Sequence, residues 1–165
     1  MKVLLAFDTS TEQLSLAVAV ADRIRTHESA GGAQASASLI PAILALLSQA
    51  EVRLRDVDAI AFGCGPGAFT GLRAACSVAQ GLAFGASKPV LPIGTLLAVA
   101  EDARAGGSAW QGWVVLDARM DEIYAAHYRF ASDRWQALDA PRLTTPQALN
   151  AIWQAAAPGA VAGNA

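Results

Sequence analysis

Two aspartates that follow short apolar runs are the first residues in this sequence with the potential for chemistry. Asp8 and Asp117 are each expected at the end of a buried strand. Paired strand-end carboxylates can hold a metal ion or orient a water molecule, as they do in phosphoryl transfer. The alternative is an Asx-type turn, in which each carboxylate accepts hydrogen bonds from the backbone N–H groups that follow it. Thr9 and Ser10 suit both alternatives.

A glycine-rich segment, from Gly63 to Gly71, separates a predicted strand from a predicted helix. It is not a P-loop, because Gly71 is followed by Leu72 and Arg73, and it lacks the later acidic residue of a dinucleotide fingerprint. A flexible turn before a helix N-terminus can still bind an anion through backbone N–H groups. Alternatively, the glycines only permit a tight turn beneath a closely packed helix. The candidate nucleotide- or anion-binding residues are Asp8, Thr9, Ser10, Gly65, Gly67, Thr70, Gly71 and Asp117.

The histidines and cysteines do not indicate a metal site or a thiol nucleophile. His27 and His127 are single histidines without the paired spacing of a zinc site. Cys64 and Cys76 have no nearby base in the sequence and are too few for a disulfide framework. We therefore predict no metal ligands. A reducing, cytoplasmic location is expected, because neither a signal peptide nor a membrane span is recognisable in the sequence.

The composition favours a protein partner over direct contact with nucleic acid. The formal net charge is −2 and no cluster of Lys and Arg occurs, so the electrostatic attraction to phosphate groups is missing. Hydrophobic residues make up 54% of the chain and charged residues 16%, which leaves little charge to cover the surface. Some apolar surface is therefore expected to meet another protein.

The elements that must position these residues occur twice in the same order. In the first half, periodicity predicts strands at 3–7, 14–20 and 24–28, a helix at 36–50, a strand at 57–62, a helix at 70–84, a strand at 90–93 and a helix at 95–104. The second half gives strands at 113–116, around 123–126 and at 135–138, a helix at 146–156 and a strand at 160–162. When the two halves of the sequence are aligned so that Asp117 matches Asp8, an offset of 117 − 8 = 109, Ile123 also matches Leu14 and Ala126 matches Ala17.

This repeat predicts an α/β fold with two equivalent lobes, residues 1–107 and 108–165. The second lobe is predicted to be incomplete, because no further elements follow the glycine turn at Gly163. The alternative is that any two hairpins look alike at this level of detail. The shared later order of helix, strand and glycine turn argues for a true repeat.

Two predicted helices carry almost no charge. No charged residue lies between Glu28 and Glu51, and none lies between Ala74 and Ser87. A helix that is apolar on two faces needs two burial partners. One is the sheet, and the other is either the neighbouring helix or a second protein, which we favour. Close approach of a second backbone is expected at Ala75, Ala79, Gly81 and Gly85. The predicted interface residues are Leu39, Ile43, Leu47, Arg73, Ala74, Ser77, Val78 and Gly81.

Three segments resemble the hallmark segments of the TsaB (YeaZ) family, which takes part in the threonylcarbamoyl modification of tRNA adenosine. They are LAFDTS at 5–10, GPGAFTGLR at 65–73 and LDARMDEIY at 116–124. The middle segment is the most specific, and with the order of elements the resemblance spans essentially the whole chain. It implies a duplicated actin-like/ribonuclease H-like fold of the ASKHA superfamily.

The resemblance also implies a function and partners. A TsaB-like protein is expected to be a non-catalytic scaffold that forms a homodimer alone. It is expected to form a heterodimer with TsaD, which carries the metal and ATP chemistry, through the two charge-poor helices. TsaE would join a larger complex, tRNA would be contacted only indirectly, and no membrane would be involved. No cofactor is required, although ATP or ADP at a partner interface is compatible with the family.

Two other functions stay open at this point. One is an independent ATP-binding phosphotransferase or ATPase of the actin-like superfamily that uses Asp8, Asp117 and the glycine loop. The other is a metalloprotease, since members are often described as glycoprotease homologues. The paired-histidine metal motif of TsaD is absent, and the segment 34–41 lacks the histidine that many members carry there.

Overall fold

The computed structural model describes residues 2–31 and 35–165. The chain forms two compact units, Met1–Ile93 and Gly94–Ala165, each with its own sheet. Among the described residues, no helix has both the length and the apolar character needed to cross a membrane.

The first unit has a mixed sheet. Within its described residues the strands are β1 (Val3–Asp8), β2 (Gln13–Val20), β3 (Arg23–Ala30), β4 (Ala59–Gly63) and β5 (Val90–Ile93), and the helices are α1 (Ala35–Gln49), α2 (Phe69–Ala86) and a 3-10 turn at Leu54–Asp56. The strand order is β3-β2-β1-β4-β5. The first three strands are antiparallel, whereas β4 and β5 run parallel to β1. Every strand and long helix predicted for this half is confirmed.

Helices α1 and α2 cover one face of this sheet. Burial alternates along β1, because Val3, Leu5 and Phe7 point toward the helices and the residues between them point away. The buried side chains of the helices are Leu39, Ile43, Leu46 and Leu47 on α1 and Ala75, Ala79 and Ala83 on α2. The three alanines follow one another at i, i+4 spacing, so a single stripe of small residues lets α2 lie close to the strands.

Leu39, Ile43 and Leu47, which we predicted as interface residues, are core residues instead. Their exposed fractions are 0%, 0% and 2%, so a partner cannot reach them. Helical spacing locates α1 correctly but does not say which of its two apolar stripes faces the sheet. Ala75 and Ala79 were expected to admit a second backbone and are also fully buried.

The second unit begins with a helix. Its described elements are α3 (Thr95–Arg104), β6 (Trp110–Arg119), β7 (Glu122–Ala131), β8 (Arg134–Thr144), α4 (Pro146–Ala155) and β9 (Val161–Gly163). The strand order is β8-β7-β6-β9, with β9 parallel to β6. Because α3 packs on β6, the chain divides after Ile93 and not after Gly107 as predicted.

The second sheet is covered on both faces. Leu96 of α3 packs with Val114 on one face. On the other face, Leu149 of α4 packs with Trp113 and Val115. Both sides of β6 are therefore buried over residues 112–116, which explains why this part of the strand is a continuous apolar run.

The two sheets repeat one strand order. We match β6, β7, β8 and β9 of the second unit to β1, β2, β3 and β4 of the first. The matched strands then have the same spatial order in both sheets, namely the third strand, the second, the first and the fourth. Helices α1 and α4 occupy the same place, between the third and fourth strands. The predicted α/β fold with two lobes of the same strand order is thereby confirmed. Among the described residues the second sheet has four strands, whereas the first has five.

The residue correspondence predicted from one constant offset does not hold along β6. Asp8 lies opposite Ser15, a separation of 15 − 8 = 7, whereas Asp117 lies opposite Ile123, a separation of 123 − 117 = 6. The Asp8 side chain lies on the face of the first sheet that points away from α1. Asp117 instead lies on the face of the second sheet that contacts α4, together with Val115 and Ile123. A shift of one residue exchanges the two faces of a strand. Asp117 is therefore not the counterpart of Asp8, and that prediction is wrong.

The buried stripe of α2 gives a matched pair of substitutions. Ala79→Glu places a charge in a fully buried position, and we expect it to lower the free energy of unfolding by about 3 kcal/mol or more. Ser77→Glu introduces the same side chain at an exposed position of the same helix and should change it by less than about 0.5 kcal/mol. Urea denaturation followed by circular dichroism measures both values. Equal effects would contradict the orientation of α2.

The second unit should lose stability at alkaline pH through Tyr128. This side chain is 6% exposed, and burial raises the pKa of its phenol above the ordinary value. A raised folded-state pKa means that the stabilisation is complete below about pH 10, the unfolded value, and is lost as the pH rises above it. Urea midpoints between pH 8 and 11 should fall less steeply for Tyr128→Phe than for the parent chain. Identical slopes would show that Tyr128 is not the cause.

Candidate functional site

Asp8 is engaged in an Asx-type turn. One of its carboxylate oxygens, Oδ1, accepts hydrogen bonds from the Ser10 backbone N–H at 2.6 Å and from the Ser10 hydroxyl at 2.5 Å. Thr9 and Ser10 are 0% and 2% exposed. The geometry therefore matches the capping alternative for Asp8, and the two polar residues after it are inside the fold.

The β1–β2 turn is bonded directly to the glycine-rich loop and α2. The Thr9 hydroxyl donates to the Gly71 carbonyl at 2.7 Å, a buried contact across 62 residues of sequence. The Ala68 N–H donates to the Ser10 carbonyl, also at 2.7 Å. These two bonds hold the first turn of α2 against the end of β1.

The glycines of the loop are needed for this contact. A Cβ atom at Gly67 would overlap the Ser10 backbone, and one at Gly71 would overlap the Thr9 carbonyl. A Cβ atom at Gly63 would likewise overlap the Asp8 carboxylate. Gly65 has a φ of +96°, a backbone conformation that favours glycine. The packing alternative therefore accounts for these glycines, since the space on their inner side is filled by the protein itself.

The outer side of the α2 N-terminus faces solvent. Ala68, the N-cap residue, makes no side-chain capping hydrogen bond, and Phe69 and Thr70 are exposed. The guanidinium of Arg73 lies 3.8 Å from the centre of the Phe69 ring. An anion that binds here would approach the first N–H groups of α2 from the solvent side. A nucleotide role for these residues stays a prediction.

Asp117 also forms a local turn. Its Oδ1 accepts a hydrogen bond from the Arg119 N–H at 2.7 Å, and its own N–H donates to Asn164 Oδ1 at 3.1 Å. Arg119, Met120 and Asp121 all have positive φ, between 55° and 68°, so the hairpin reverses within three residues. The carboxylate serves this turn, and a joint role with Asp8 stays a prediction.

The histidines lie in strands, as predicted. His27 is exposed on β3, and His127 on β7 stacks on Trp113 with ring centres 5.0 Å apart. The Nδ1 atom of His127 lies 3.8 Å from Asp139 Oδ2. Across the described ranges, no three His, Cys, Asp or Glu residues are grouped so that they could hold a metal ion.

The solvent side of α1 and α2 forms a nearly uncharged surface. On α1 the exposed apolar residues are Ile40 and Leu44, with exposed fractions of 43% and 53%, and on α2 Phe84 is 91% exposed. The predicted residues Arg73, Ser77 and Gly81 are exposed on α2, and Ala74 and Val78 are half-buried. We refer to Ile40, Leu44, Arg73, Ser77, Gly81 and Phe84 together as the helix surface.

Ile40, Leu44 and Phe84 were not among the predicted interface residues. Ile40 and Leu44 form a second apolar stripe at i, i+4 spacing, so a signal was present, but it did not tell the outer stripe from the inner one. Phe84 gave no periodic signal of its own. The three side chains add the bulk of the apolar area to the helix surface.

Two glycine positions on α2 predict opposite stability effects for the same change. Gly71→Ala should lower the free energy of unfolding by about 2 kcal/mol or more, because the new Cβ overlaps the Thr9 carbonyl. Gly81→Ala should raise it by about 0.5–1 kcal/mol, because a Cβ there meets open space and alanine favours the helix. Thermal and urea denaturation measure both. Destabilisation by both changes would contradict the open environment of Gly81.

Comparison with known proteins is consistent across sequence and structure. A family model described as "TsaD: tRNA N6-adenosine threonylcarbamoyltransferase" matches residues 16–162. The tRNA threonylcarbamoyladenosine biosynthesis protein TsaB of Haemophilus influenzae is 37% identical over 159 residues, which cover 90% of this chain and 67% of that protein. The Escherichia coli TsaB is 35% identical over 126 residues, which cover 76% of this chain and 54% of that protein.

Solved structures give the same result. A Pseudomonas aeruginosa protein described as similar to the peptidase YeaZ is 39% identical, with a TM-score of 0.85, and the match covers 95% of this chain and 73% of that one. YeaZ from P. aeruginosa is 40% identical with a TM-score of 0.80, and the match covers 88% and 68% of the two chains. This chain thus spans 54–67% of the two curated relatives. Since the family model and the similar proteins cover most of its length, the chain belongs to the TsaB (YeaZ) family.

Proposed function

We propose that this chain acts in the biosynthesis of tRNA threonylcarbamoyladenosine as a non-catalytic subunit that binds TsaD through the helix surface. In the absence of TsaD, the same surface joins two copies of the chain. The pathway is supported by relatives at 35–37% identity whose names give this role. TsaE and tRNA enter through the larger complex. No cofactor is required by the chain itself, and ATP or ADP at the TsaD interface is compatible with this proposal.

The exposed, nearly uncharged helix surface is the observation that supports binding. Of its six residues, Arg73 alone is charged, and its guanidinium is already placed over the Phe69 ring. Exposed helices normally carry charged or polar residues on the solvent side. Ile40, Leu44 and Phe84 instead expose 43%, 53% and 91% of their areas, which favours contact with another protein.

The glycines on the outer side of α2 give independent support. A Cβ atom added to Gly81 or to Gly85 would have no neighbour within 4 Å. A glycine inside a helix costs about 1 kcal/mol relative to alanine, and internal packing does not require these two. Because glycine has no side chain, the backbone of a second protein can approach α2 closely at these two positions.

The geometry near Asp8 supports a non-catalytic role. Its Oδ1 atom accepts two hydrogen bonds from Ser10, which serve the turn. Gly67 and Gly71 leave no room on their inner side, because the backbone of the β1–β2 turn occupies it. These contacts give the Asp8 carboxylate and the glycines of the loop a role in stabilising the fold, and they require no role in a chemical reaction.

Charge on the helix surface should weaken the complex. Leu44→Glu and Ser77→Glu are expected to reduce affinity for purified TsaD by about tenfold or more, because each buries a carboxylate without a partner at the interface. They should also shift any homodimer toward monomer. Isothermal titration calorimetry and sedimentation velocity measure these two effects.

Ile24→Glu is the matched control. Ile24 is 68% exposed on β3, away from the helix surface, and undergoes the same change from aliphatic to carboxylate as Leu44. It should leave the affinity for TsaD unchanged within about twofold. A parent chain that is folded but does not bind TsaD would overturn the proposal, as would equal losses for all three variants.

Mg-ATP titration separates this proposal from an independent ATPase. We expect no saturable heat with the isolated chain. Asp8→Ala should lower the free energy of unfolding by about 1–2 kcal/mol, because the Ser10 N–H and hydroxyl lose their acceptor. Tight Mg-ATP binding by the parent chain that disappears in Asp8→Ala would instead favour the phosphotransferase alternative.

A further inference from the structure

A groove lies beside the C-terminal end of α2, between that helix and the edge strand β5. Its volume is about 550 Å³, and Phe84 and Val90 on its walls are 91% and 39% exposed. Lys88 is the one charged residue among the described residues that line it. Because Phe84 also belongs to the helix surface, the groove continues that surface past the end of α2. The lining residues are Gln80, Ala83, Phe84, Ser87, Lys88 and Val90.

The end of α2 holds the backbone of Lys88 in a fixed position. The Ser87 N–H donates to the Phe84 carbonyl at 3.3 Å, and the Lys88 N–H donates to the Ala83 carbonyl at 2.9 Å. Ser87 has a φ of 53°, so these bonds form the common left-handed ending of a helix. The lysine side chain therefore starts from a fixed point at one wall of the groove.

The Lys88 ammonium group has no counter-ion in the described part of the chain. The side chain is half-buried, and it takes part in no ion pair and no side-chain hydrogen bond there. A lysine just after a helix also complements the partial negative charge at the helix end. That effect would stabilise the fold without any partner, so the two roles can be separated by experiment.

A protein that covers Phe84 also removes water from Lys88. Both side chains line one groove, so contact with the aromatic ring partly desolvates the ammonium group. Burial of an unpaired charge is unfavourable, whereas a carboxylate within hydrogen-bond distance compensates for the lost water. The protein that binds at this end of the helix surface is therefore expected to carry an Asp or Glu side chain.

A second copy of this chain does not supply such a carboxylate from the same surface. In a symmetric dimer both copies contribute the same residues. The charged residues of the helix surface and of the groove are Arg73 and Lys88, and both are positive. Self-association through this surface therefore brings cations together or leaves Lys88 without a counter-ion, and either arrangement weakens the contact.

We propose that the groove binds an acidic segment of TsaD, with a TsaD carboxylate against the Lys88 ammonium group. Lys88 thereby favours TsaD over a second copy of the chain. Specificity is a difference between two affinities, and this one charge acts on both, because it attracts the carboxylate and repels a second cationic surface. The inference rests on the proposed function, since it requires that TsaD occupies the helix surface.

Two substitutions at Lys88 test the inference with purified TsaD. Lys88→Glu should weaken binding about thirtyfold or more, because it brings two carboxylates together in the interface. Lys88→Met keeps an unbranched side chain and removes the charge, so it should weaken binding about tenfold and make the affinity less dependent on salt concentration. Neither change should weaken self-association, in contrast to Ser77→Glu. Isothermal titration calorimetry at low and high salt and sedimentation velocity measure these effects.

Lys2→Glu is the matched control for net charge. Lys2 is exposed, precedes β1 and does not line the groove, and it undergoes the same reversal of charge. Its affinity for TsaD should stay within about twofold of the parent value.

The outcomes separate this inference from the proposed function. If the parent chain binds TsaD and Lys88→Met binds it equally well, the inference is wrong and the proposed function stands. A lower thermal midpoint of that variant would then show that Lys88 serves only the end of α2. Equal losses of TsaD binding and of self-association in Lys88→Glu would overturn the preference for TsaD. A folded parent chain that does not bind TsaD would overturn the proposed function itself, and this inference with it.

Discussion

The first unit depends on the contact between the β1–β2 turn and the beginning of α2. The Thr9 hydroxyl is buried and reaches the Gly71 carbonyl, while the Ser10 carbonyl accepts the Ala68 N–H. A buried hydroxyl needs such a partner, because leaving it unpaired costs about 1–3 kcal/mol. The contact joins segments more than sixty residues apart and fixes where α2 starts. Gly71 is required because any side chain would displace the Thr9 backbone.

The rotation of α2 about its own axis follows from that starting point. Once the first turn is fixed, the alanines at i, i+4 spacing point to the strands, and Ser77 and Gly81 point to solvent. The same constraint that stabilises the unit thus determines which residues can meet a partner. Stability and recognition use opposite sides of one helix, so substitutions on the outer side can test binding without loss of the fold.

The duplication is a property of topology more than of individual residues. Both sheets share their strand order and the position of the helix between the third and fourth strands. The residue correspondence shifts by one along β6, because the second hairpin is shorter, and Asp117 consequently lies on the other face from Asp8. The two sheets also differ in their coverage. The second has helices on both faces, and the first has them on one face among the described residues.

The sequence by itself determined the element order, the repeat, the family segments and the lack of charge on two helices. These are local properties, because periodicity, turn residues and composition act over short distances. Tertiary structure decided which stripe of each helix is buried: Leu39 and Ala79 went inward, and Leu44 and Phe84 stayed outside. It also showed that the Asp8 carboxylate accepts hydrogen bonds from Ser10 in a local Asx-type turn, which the sequence had left as one of two alternatives. Spacing gives the faces of an element, but the partner that covers a face is set only when the chain has folded.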